Sequence, residues 1–537
     1  MTSPRAFHAV DGMPPLRQLA AQAFSRAAGA PLIPGNQARF LRDAAQNYPA
    51  WMDAIRGACR NICFENYIFT DDPLCRSFVD ALAERAAAGV KVRVLYDWLG
   101  TSTWKMRHLW RTLRAAGAEV RCFNRPRWDE PFSWLSRDHR KTLSVDGRIG
   151  FVSGLCVSAR WLGKPEKHIG PWRDTGLEIV GPAVLELESA FARIWEVAGG
   201  SFPFEERTSP EIVPADGSVA LRVVAGAPST AGLYRLDQLI AALARETLWL
   251  TDAYFVGVSS YVQALCAAAR DGVDVRLLVP GASDIWWISP LSRAGYRPLL
   301  EAGVRIFEWN GSMLHAKTAV ADNRWARVGS TNLNLSSWLA NWELDVAVED
   351  GAVASSFSYA FEQDLAYATE IILAGRRRAR ARARTHSERR PRQQGTRARR
   401  AAVGALRVGS ALGEAIMSRR VLGPAEATLL LSGGLLMGAL ALGGFFYPRV
   451  LAWPLALVSA WIGSSTLLRG LTLMRAGRRR PRAGHGPHAL PALSRRASPE
   501  AEPAPPVEEA GASPSSRGQP VDAPPPGSAG RPPAPRG

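Results

Sequence analysis

One eight-residue pattern, His-x-Lys-x-x-x-x-Asp, occurs twice in this chain and constrains its fold more than any other feature. The first copy runs from His139 to Asp146, and the second runs from His315 to Asp322. The two copies take two of the only six lysines, although Lys and Arg together number 66. This use of a rare residue argues against a chance match. A motif repeated in this way predicts two copies of one structural unit.

The residues inside each copy alternate in a way that indicates a β-strand. In the first copy, His139 and Lys141 are followed at every second position by the apolar residues Leu143 and Val145. Because alternate strand residues project from the same face, the imidazole and the ammonium group should lie side by side. A buried structural histidine beside a solvated lysine could explain one copy. Two matched copies favour a shared functional role.

Each motif closes a longer repeat of strands and helices. Strand-like runs begin near Asn61 and Gly89 in the first copy and near Thr247 and Gly272 in the second, with amphipathic helices between them. This alternation predicts an α/β fold with mixed, mostly parallel sheets flanked by helices. We expect two pseudo-symmetric lobes to pair, so that both histidines and both lysines meet in one cleft.

Composition along the chain predicts its domain organisation. A segment rich in Gly, Pro and Ser separates the two repeats, as is typical of a linker. The predicted segments are an N-terminal extension (1–35), a first lobe (36–200), a linker (201–217), a second lobe (218–370), an Arg-rich linker (371–418), a transmembrane hairpin (419–475) and a disordered Pro-rich tail (476–537).

With these motifs, the chain resembles the phospholipase D superfamily over about residues 35–370, and it is most similar there to bacterial cardiolipin synthases. The doubled motif carries the resemblance. Further matching segments are 65–69, 89–95, 172–175, 181–184 and 341–344. The resemblance implies two phospholipase D-like lobes and an enzyme that transfers a phosphatidyl group through a phosphohistidine, with no cofactor.

The resemblance also implies catalytic roles for the motif residues. Lys141 and Lys317 would hold the phosphodiester oxygens and stabilise the charge that develops in the transition state. One histidine would attack phosphorus, and the other would protonate the leaving alcohol and then activate the acceptor. Similarity to the family favours His139 as the nucleophile and His315 as the acid and base.

Four carboxylates are expected to support this chemistry. Asp146 and Asp322 end the two motifs, and we interpret them as anchors of the strand and its turn. Asp174 and Glu343 match family carboxylates that orient the imidazoles. A helix-cap or surface carboxylate is the alternative for these last two residues.

The turns after the motifs are expected to supply phosphate donors, namely Ser153 in the first lobe and Ser330 and Asn332 in the second. The first lobe departs from the family pattern, because Cys156 stands where Asn is expected. The first half-site could therefore be adapted to a different arm of the substrate. The alternative is that Cys156 is a small buried residue.

No metal site is expected. The motifs lack the clustered carboxylates that hold Mg²⁺ or Ca²⁺. The six cysteines show neither a C-x-x-C pair nor zinc-site spacing with histidine. Scattered cysteines and the lack of a recognisable N-terminal signal fit a reducing cytosolic compartment.

Positive charge is concentrated outside the two lobes. The net charge is +18, and residues 376–407 (13 Arg, one Glu) and 469–482 (six Arg) account for it, which leaves the rest of the chain near neutral. A nucleic-acid enzyme would need a basic groove on its catalytic body, so we expect no nucleic-acid partner. The run Arg376–Arg400 is expected to lie on anionic lipid, with a solvated linker as the alternative.

Two uncharged segments between these basic runs predict a membrane hairpin. Residues 427–447 and 450–468 would each span about 30 Å as a helix, which matches the hydrocarbon core of a bilayer. The flanking arginines would place both ends, and the lobes, on the cytoplasmic side of the inner membrane. A buried soluble hairpin and a re-entrant hairpin are the alternatives.

The predicted function is that of a membrane-bound phosphatidyltransferase similar to cardiolipin synthases. It would move a phosphatidyl group from a phospholipid such as phosphatidylglycerol to an alcohol acceptor and release glycerol. A phospholipase D-type hydrolase with the same intermediate is the main alternative. A nuclease and an inactive membrane scaffold are less favoured. The sequence gives no indication of the oligomeric state.

Overall fold

The computed structural model describes residues 15–126, 135–215, 217–285, 288–373, 420–422, 435, 438–439 and 442–478. The chain divides into two units, residues 1–474 and 475–537. Only the end of one helix is described in the second unit, so the fold below is that of the first. Nearly all of the predicted Arg-rich linker and Pro-rich tail lie outside the described residues.

The elements of the first half of the fold alternate between strands and helices at first, and then four strands follow one another before the last helix. They are α1 (Pro15–Ala28), β1 (Ile33–Arg42), α2 (Asp43–Arg56), β2 (Asn61–Asn66), α3 (Pro73–Ala87), β3 (Lys91–Asp97), α4 (Arg107–Ala115), β4 (Glu119–Phe123), β5 (Lys141–Val145), β6 (Ile149–Ser153), β7 (Thr175–Val180) and α5 (Val184–Val197).

The second half repeats this order with small additions. Its elements are β8 (Val219–Gly226), α6 (Gly232–Leu243), β9 (Thr247–Thr251), α7 (Ser259–Arg270), β10 (Asp274–Pro280), α8 (Ile288–Ala294), α9 (Tyr296–Ala302), β11 (Arg305–Trp309), β12 (Thr318–Ala321), β13 (Trp325–Gly329), α10 (Leu335–Leu339), β14 (Glu343–Val348), α11 (Gly351–Leu365), β15 (Ala368–Leu373), β16 (Arg420–Leu422) and α12 (Pro448–Arg478).

The strands join in one mixed sheet with matching halves. Strands β1 and β8 pair antiparallel at its centre. Outward from them the order is β1-β7-β6-β5-β2-β3-β4 on one side and β8-β14-β13-β12-β9-β10-β11 on the other, followed by β15 and β16. The matching order supports the predicted pseudo-symmetry of the two lobes.

The prediction of mostly parallel sheets is wrong. Within the described strands of the first lobe, only β2, β3 and β4 run parallel, and β5, β6 and β7 form an antiparallel meander. The reason is the tight turn after each motif. Asp146 and Gly147 both have positive φ angles, +56° and +63°, as do Asp322 and Asn323 at +51° and +54°. Two such residues reverse the chain in a tight hairpin turn, in which three residues separate the paired strand ends Val145 and Ile149.

An apolar layer holds the two lobes together. Side chains from both lobes meet in it, each at most 1% exposed: Val152, Leu177 and Ile179 from the first lobe and Val328, Leu344 and Val346 from the second. Burial of one such aliphatic side chain contributes about 1.5–3 kcal/mol. This layer fixes the facing ends of the two motif strands relative to each other.

Residues 15–35 of the predicted N-terminal extension are part of the folded body. Helix α1 ends at Ala28, which is buried with Ala30, Leu233 and Leu236 in the core of the second lobe. Strand β1 then crosses to the first lobe by pairing with β7. The segment from Pro15 to Arg42 therefore contributes to both lobes.

The C-terminal helix α12 covers Pro448–Arg478 and includes the second segment of the predicted membrane hairpin. Most of the first segment, 427–447, lies outside the described residues. Within the part of the chain that is described, no helix has both the length and the apolar character needed to cross a membrane.

Candidate active site

Each motif histidine is fixed by the backbone of the opposite lobe. His139 lies just before β5, and its N–H donates to the carbonyl of Trp342 over 2.9 Å. His315 lies just before β12, and its N–H donates to the carbonyl of Arg173 over 2.7 Å. Both histidines therefore sit at the junction of the lobes, as the paired-lobe prediction requires.

The imidazole rings are also held across the junction. Nδ1 of His139 lies 3.0 Å from Oε2 of Glu343, and Nδ1 of His315 lies 2.8 Å from Oδ2 of Asp174. An ionised carboxylate can only accept hydrogen bonds, so each Nδ1 carries the proton. Each Nε2 is then left with a lone pair that can attack an electrophile or accept a proton.

The two lysines occupy equivalent positions beside the histidines. In each motif the ammonium group donates to the carbonyl oxygen of its own histidine. Lys141 lies 5.2 Å from the ring centroid of Tyr67, and Lys317 lies 5.7 Å from that of Tyr254. An aromatic ring within about 6 Å attracts a cation electrostatically. The rings therefore help to hold each ammonium group beside the imidazole.

Burial sets the protonation of the site. It lowers the pKa of His139, and together with the charge of Lys317 it lowers the pKa of His315 to about 4. Burial also lowers the pKa of Lys317 to about 8. Burial alone would raise the pKa of Asp174 and Glu343, but their histidine partners, the neighbouring lysines and further hydrogen-bond donors together outweigh it and bring both pKa values below the usual range. At neutral pH the unliganded site therefore holds neutral imidazoles and ionised carboxylates.

Both histidines face one pocket of about 290 Å³. The lining includes Tyr67, Arg137, His139, Lys141, Cys156, Arg160, Trp161, Trp172, Tyr254, Asp284, His315, Asn332 and Asn341. Around His315 the centroids of Trp161, Trp172 and Tyr254 lie 5.2, 5.9 and 5.8 Å from that of the imidazole. The wall beside His315 is thus largely aromatic, while the remainder combines polar groups with Ile68, Ile285 and Ile288.

The two serines predicted to bind phosphate do not line this pocket. The hydroxyl of Ser330 donates to Oε2 of Glu343 over 2.5 Å and accepts from the N–H of Leu344 over 3.0 Å. The hydroxyl of Ser153 accepts from the N–H of Leu155 over 3.1 Å. Both serines are fully buried. Both hydroxyls form hydrogen bonds to protein groups behind the pocket wall. The structure therefore gives no support for direct phosphate contact by either serine.

Asn332 and Cys156 take equivalent places in the pocket wall. Oδ1 of Asn332 is buried and has no hydrogen-bond partner among the described residues. Burial raises the pKa of the Cys156 thiol, so the thiol stays neutral. Asn332 therefore has unused hydrogen-bonding capacity at the pocket, whereas Cys156 offers a weakly polar surface at the matching position.

The two motif aspartates lie at the far end of the motif strands from the histidines. Asp146 accepts from the N–H groups of Cys59, Arg60 and Asn61 over 2.7–2.9 Å. Asp322 likewise accepts from the three N–H groups of residues 245–247 over 2.8–3.2 Å. Each carboxylate thereby ties the turn after its motif to the start of the neighbouring strand.

Several site residues were missed from the sequence. Arg137 lines the pocket, and Trp161 donates from Nε1 to Oδ2 of Asp174 over 2.8 Å. Tyr67 and Tyr254 occur at places one residue apart in the aligned repeats, just after the strands β2 and β9, and that near recurrence was a usable signal. No group of three or more His, Cys, Asp or Glu side chains in the described ranges could hold a metal ion.

Comparison with known proteins agrees with this geometry. The sequence matches the family described as cardiolipin synthase, PLD-like domain, over residues 52–195 and 237–365. Cardiolipin synthase A of Pseudomonas fluorescens is 33% identical over 346 residues, which cover 64% of this chain and 71% of that protein. Cardiolipin synthase 1 of Bacillus anthracis is 32% identical over 360 residues, with 64% and 69% covered.

A solved structure shares the fold. The phosphatidylserine synthase of Haemophilus influenzae superposes with a TM-score of 0.50 at 14% identity, over 65% of this chain and 91% of that one. The family match falls on both lobes and includes both motifs. The chain therefore belongs to the phospholipase D superfamily, within the cardiolipin synthase family of phospholipase D-like domains.

Proposed function

We propose that this protein is a phosphatidyltransferase that moves a phosphatidyl group from a phospholipid such as phosphatidylglycerol to an alcohol acceptor and releases glycerol. The observation that carries the proposal is the single pocket in which two histidines, each oriented by a carboxylate of the other lobe, face the same space. The similarity to two cardiolipin synthases at 32–33% identity supports it.

In the first step, Nε2 of His139 attacks phosphorus. A P–N bond forms and the P–O bond to the leaving alcohol breaks. His315 gives a proton to the leaving oxygen, and the ammonium groups of Lys141 and Lys317 stabilise the charge on the phosphoryl oxygens. The pKa of His315 is about 4 in the unliganded site. Arrival of an anionic phosphodiester raises that pKa, so the imidazole gains its proton when the substrate binds.

In the second step, His315 acts as a base. It takes the proton from the acceptor hydroxyl, whose oxygen attacks phosphorus and displaces Nε2 of His139. The P–N bond breaks, a new phosphodiester forms, and His139 returns to its neutral state. Asp174 keeps the ring of His315 in one orientation during both proton transfers, over a hydrogen bond of 2.8 Å.

Transfer requires that an alcohol, and not water, reaches the phosphohistidine. The rings of Trp161, Trp172 and Tyr254 around His315 support transfer, because an apolar wall disfavours ordered water beside the base. A phospholipase D-type hydrolase would use the same intermediate and remains the second candidate. The measured ratio of cardiolipin to phosphatidic acid separates the two activities.

A lipid substrate also requires a membrane location. We infer that the uncharged segments 427–447 and 450–468 contact or enter the inner membrane and that the run 376–400 lies on anionic lipid. The catalytic lobes would then lie on the cytoplasmic side. The charge pattern of the sequence supports this arrangement.

The proposed function is tested with purified protein in vesicles that contain labelled phosphatidylglycerol. We expect cardiolipin and free glycerol as products, with no added metal. His139→Ala and His315→Ala should abolish product formation, and His108→Ala, at a half-exposed histidine outside the pocket, should not. Phosphatidic acid as the sole lipid product would establish hydrolysis instead, and an inert wild-type protein would contradict both candidates.

A further inference from the structure

We propose that Arg137 forms a second anion site in the active-site pocket and that this site binds the phosphate of an acceptor phospholipid. The inference rests on the proposed phosphatidyl transfer and goes beyond it. It assigns Arg137, a residue outside the doubled motif, to recognition of the acceptor.

The first observation is the unused hydrogen-bonding capacity of this arginine. Arg137 is only 8% exposed, yet it lines the pocket. Its Nη1 donates to Oδ1 of Asp97 over 3.2 Å, while Nε and Nη2 have no hydrogen-bond partner in the described part of the chain. Buried polar groups without partners are costly. The free donors of a guanidinium fit the oxygens of a phosphate.

The second observation is the position of the guanidinium. Residues 137, 139 and 141 alternate along an extended segment, so their side chains project on the same side, and all three line the pocket. The carbonyl of Arg137 accepts from the N–H of Trp342 over 2.8 Å, which fixes the backbone at this point. Arg137 therefore lies next to the reacting histidine, on the side away from Lys141 along the strand.

The third observation is a difference between the two half-sites. The position of Arg137 corresponds in the second lobe to Met313, which is 2% exposed and does not line the pocket. The second lobe instead contributes Asn332, where the first has Cys156, and the carboxylate of Asp284. The reacting histidines and lysines are matched, but the cation Arg137 lies on one side and a carboxylate on the other. This difference in charge between the two sides of the pocket suits a substrate whose two parts differ chemically.

A phospholipid acceptor explains why an additional cation is needed. Lys141 and Lys317 already provide one ammonium group each for the oxygens of the reacting phosphodiester. An acceptor such as phosphatidylglycerol brings a second phosphate into the same pocket, and its charge needs a partner of its own. Water and glycerol carry no charge and need none. Arg137 would therefore favour phospholipid acceptors over neutral ones.

Two reactions with one donor test this site. Vesicles of phosphatidylglycerol report cardiolipin formation, in which the acceptor carries a phosphate. The same vesicles with labelled free glycerol report exchange of glycerol into phosphatidylglycerol, in which the acceptor is neutral. Both reactions share the donor and the phosphohistidine, so they differ only in the acceptor.

Arg137→Met gives the first lobe the residue of the second. We expect this variant to lose about 10- to 10²-fold in cardiolipin formation, the loss that one or two charge-assisted hydrogen bonds would produce. Glycerol exchange should change by less than about threefold on the same scale. Arg137→Lys should lie between the wild type and Arg137→Met in cardiolipin formation. Arg76→Met, which removes an exposed arginine paired with Asp71 over 2.8 Å, should match the wild type in both reactions.

The variant is expected to fold, because Asp97 keeps other donors. Its carboxylate also accepts from the N–H groups of Leu99 over 2.8 Å and of Asp138 over 3.0 Å. Equal losses in both reactions would assign Arg137 to the reacting phosphate or to folding, and unchanged activity in both would assign it no role. Either result overturns the acceptor site. If the wild type yields only phosphatidic acid, the protein is a hydrolase and not a transferase. That result would contradict the proposed function and, with it, the acceptor site.

Discussion

Glu343 of the second lobe holds the imidazole of His139 in the first lobe, with Nδ1 and Oε2 3.0 Å apart. The same relationship recurs with the lobes exchanged, between Asp174 and His315 at 2.8 Å. Neither lobe therefore contains a complete catalytic unit. A histidine with its carboxylate exists only when both lobes are folded and paired.

Glu343→Gln should lower kcat by about 10²-fold or more with little change in KM. The amide of Gln can donate to Nδ1, which favours the wrong tautomer of the imidazole and removes the negative charge that stabilises its protonated form. Steady-state rates of product formation measure the change. The control is Glu178→Gln, which alters a carboxylate that pairs with Arg39 away from the pocket. An unchanged kcat in Glu343→Gln would show that this carboxylate does not orient the ring.

Binding of a phosphodiester should take up protons near pH 6. In the unliganded site burial holds the pKa of His315 at about 4, so the imidazole is neutral at that pH. A bound anion raises this pKa, so affinity should increase as pH falls through the raised value and should level off below about 4. Calorimetric titration with dimethyl phosphate in two buffers of different ionisation enthalpy measures the uptake.

His315→Ala is the matched control for this titration, and it should reduce the proton uptake. Proton release on binding, or an affinity that increases with pH between 5 and 7, would contradict the assignment of a neutral His315 to the unliganded site.

Ser330→Ala should lower kcat by about three- to tenfold and leave KM unchanged. Its hydroxyl donates to Glu343 over 2.5 Å and not into the pocket, so its loss acts through the orientation of His139. Ser153→Ala in the first lobe removes a hydroxyl that accepts from the N–H of Leu155 over 3.1 Å, and it should have a smaller effect. A raised KM with normal kcat in Ser330→Ala would instead indicate that the hydroxyl contacts the substrate phosphate.

Asp322→Asn should lower the free energy of unfolding by about 1–3 kcal/mol, because three backbone N–H groups lose a charged acceptor. Asp322→Ala should cost about 1–2 kcal/mol more, since alanine is disfavoured at its φ of +51°. Urea denaturation measures both losses. An Asp322→Asn protein with wild-type stability and no activity would contradict the anchoring role.

Two features of the sequence predicted the paired lobes and the shared cleft. Strand alternation is a local property of the residues, and a repeated motif implies two equivalent structural units. His139 and Lys141 had to share a face, and a second copy of the His-x-Lys pattern had to occupy an equivalent place. The Asp146-Gly147 pair is typical of a hairpin turn and could have predicted one. The alternation of strands and helices around it suggested parallel pairing instead. The structure shows that the turn determines the local direction of the chain.

Side-chain partners across the junction could not be predicted in the same way. Asp174 and Glu343 were expected to orient imidazoles, but which histidine each one serves depends on the pairing of residue 138 with Trp342 and of Arg173 with Leu314. Those contacts join residues far apart in sequence. The hydroxyl of Ser330 faces Glu343 for the same reason, and no local pattern indicates its direction.

Product formation by single and double histidine variants tests the composite site most directly. If His139 and His315 act as one unit, each alanine variant should lose at least about 10³-fold in turnover, and the double variant should be no slower than the slower single variant. Thermal unfolding of each variant should stay close to that of the wild type. A single variant that keeps wild-type turnover, or losses that multiply in the double variant, would contradict one site built from both lobes.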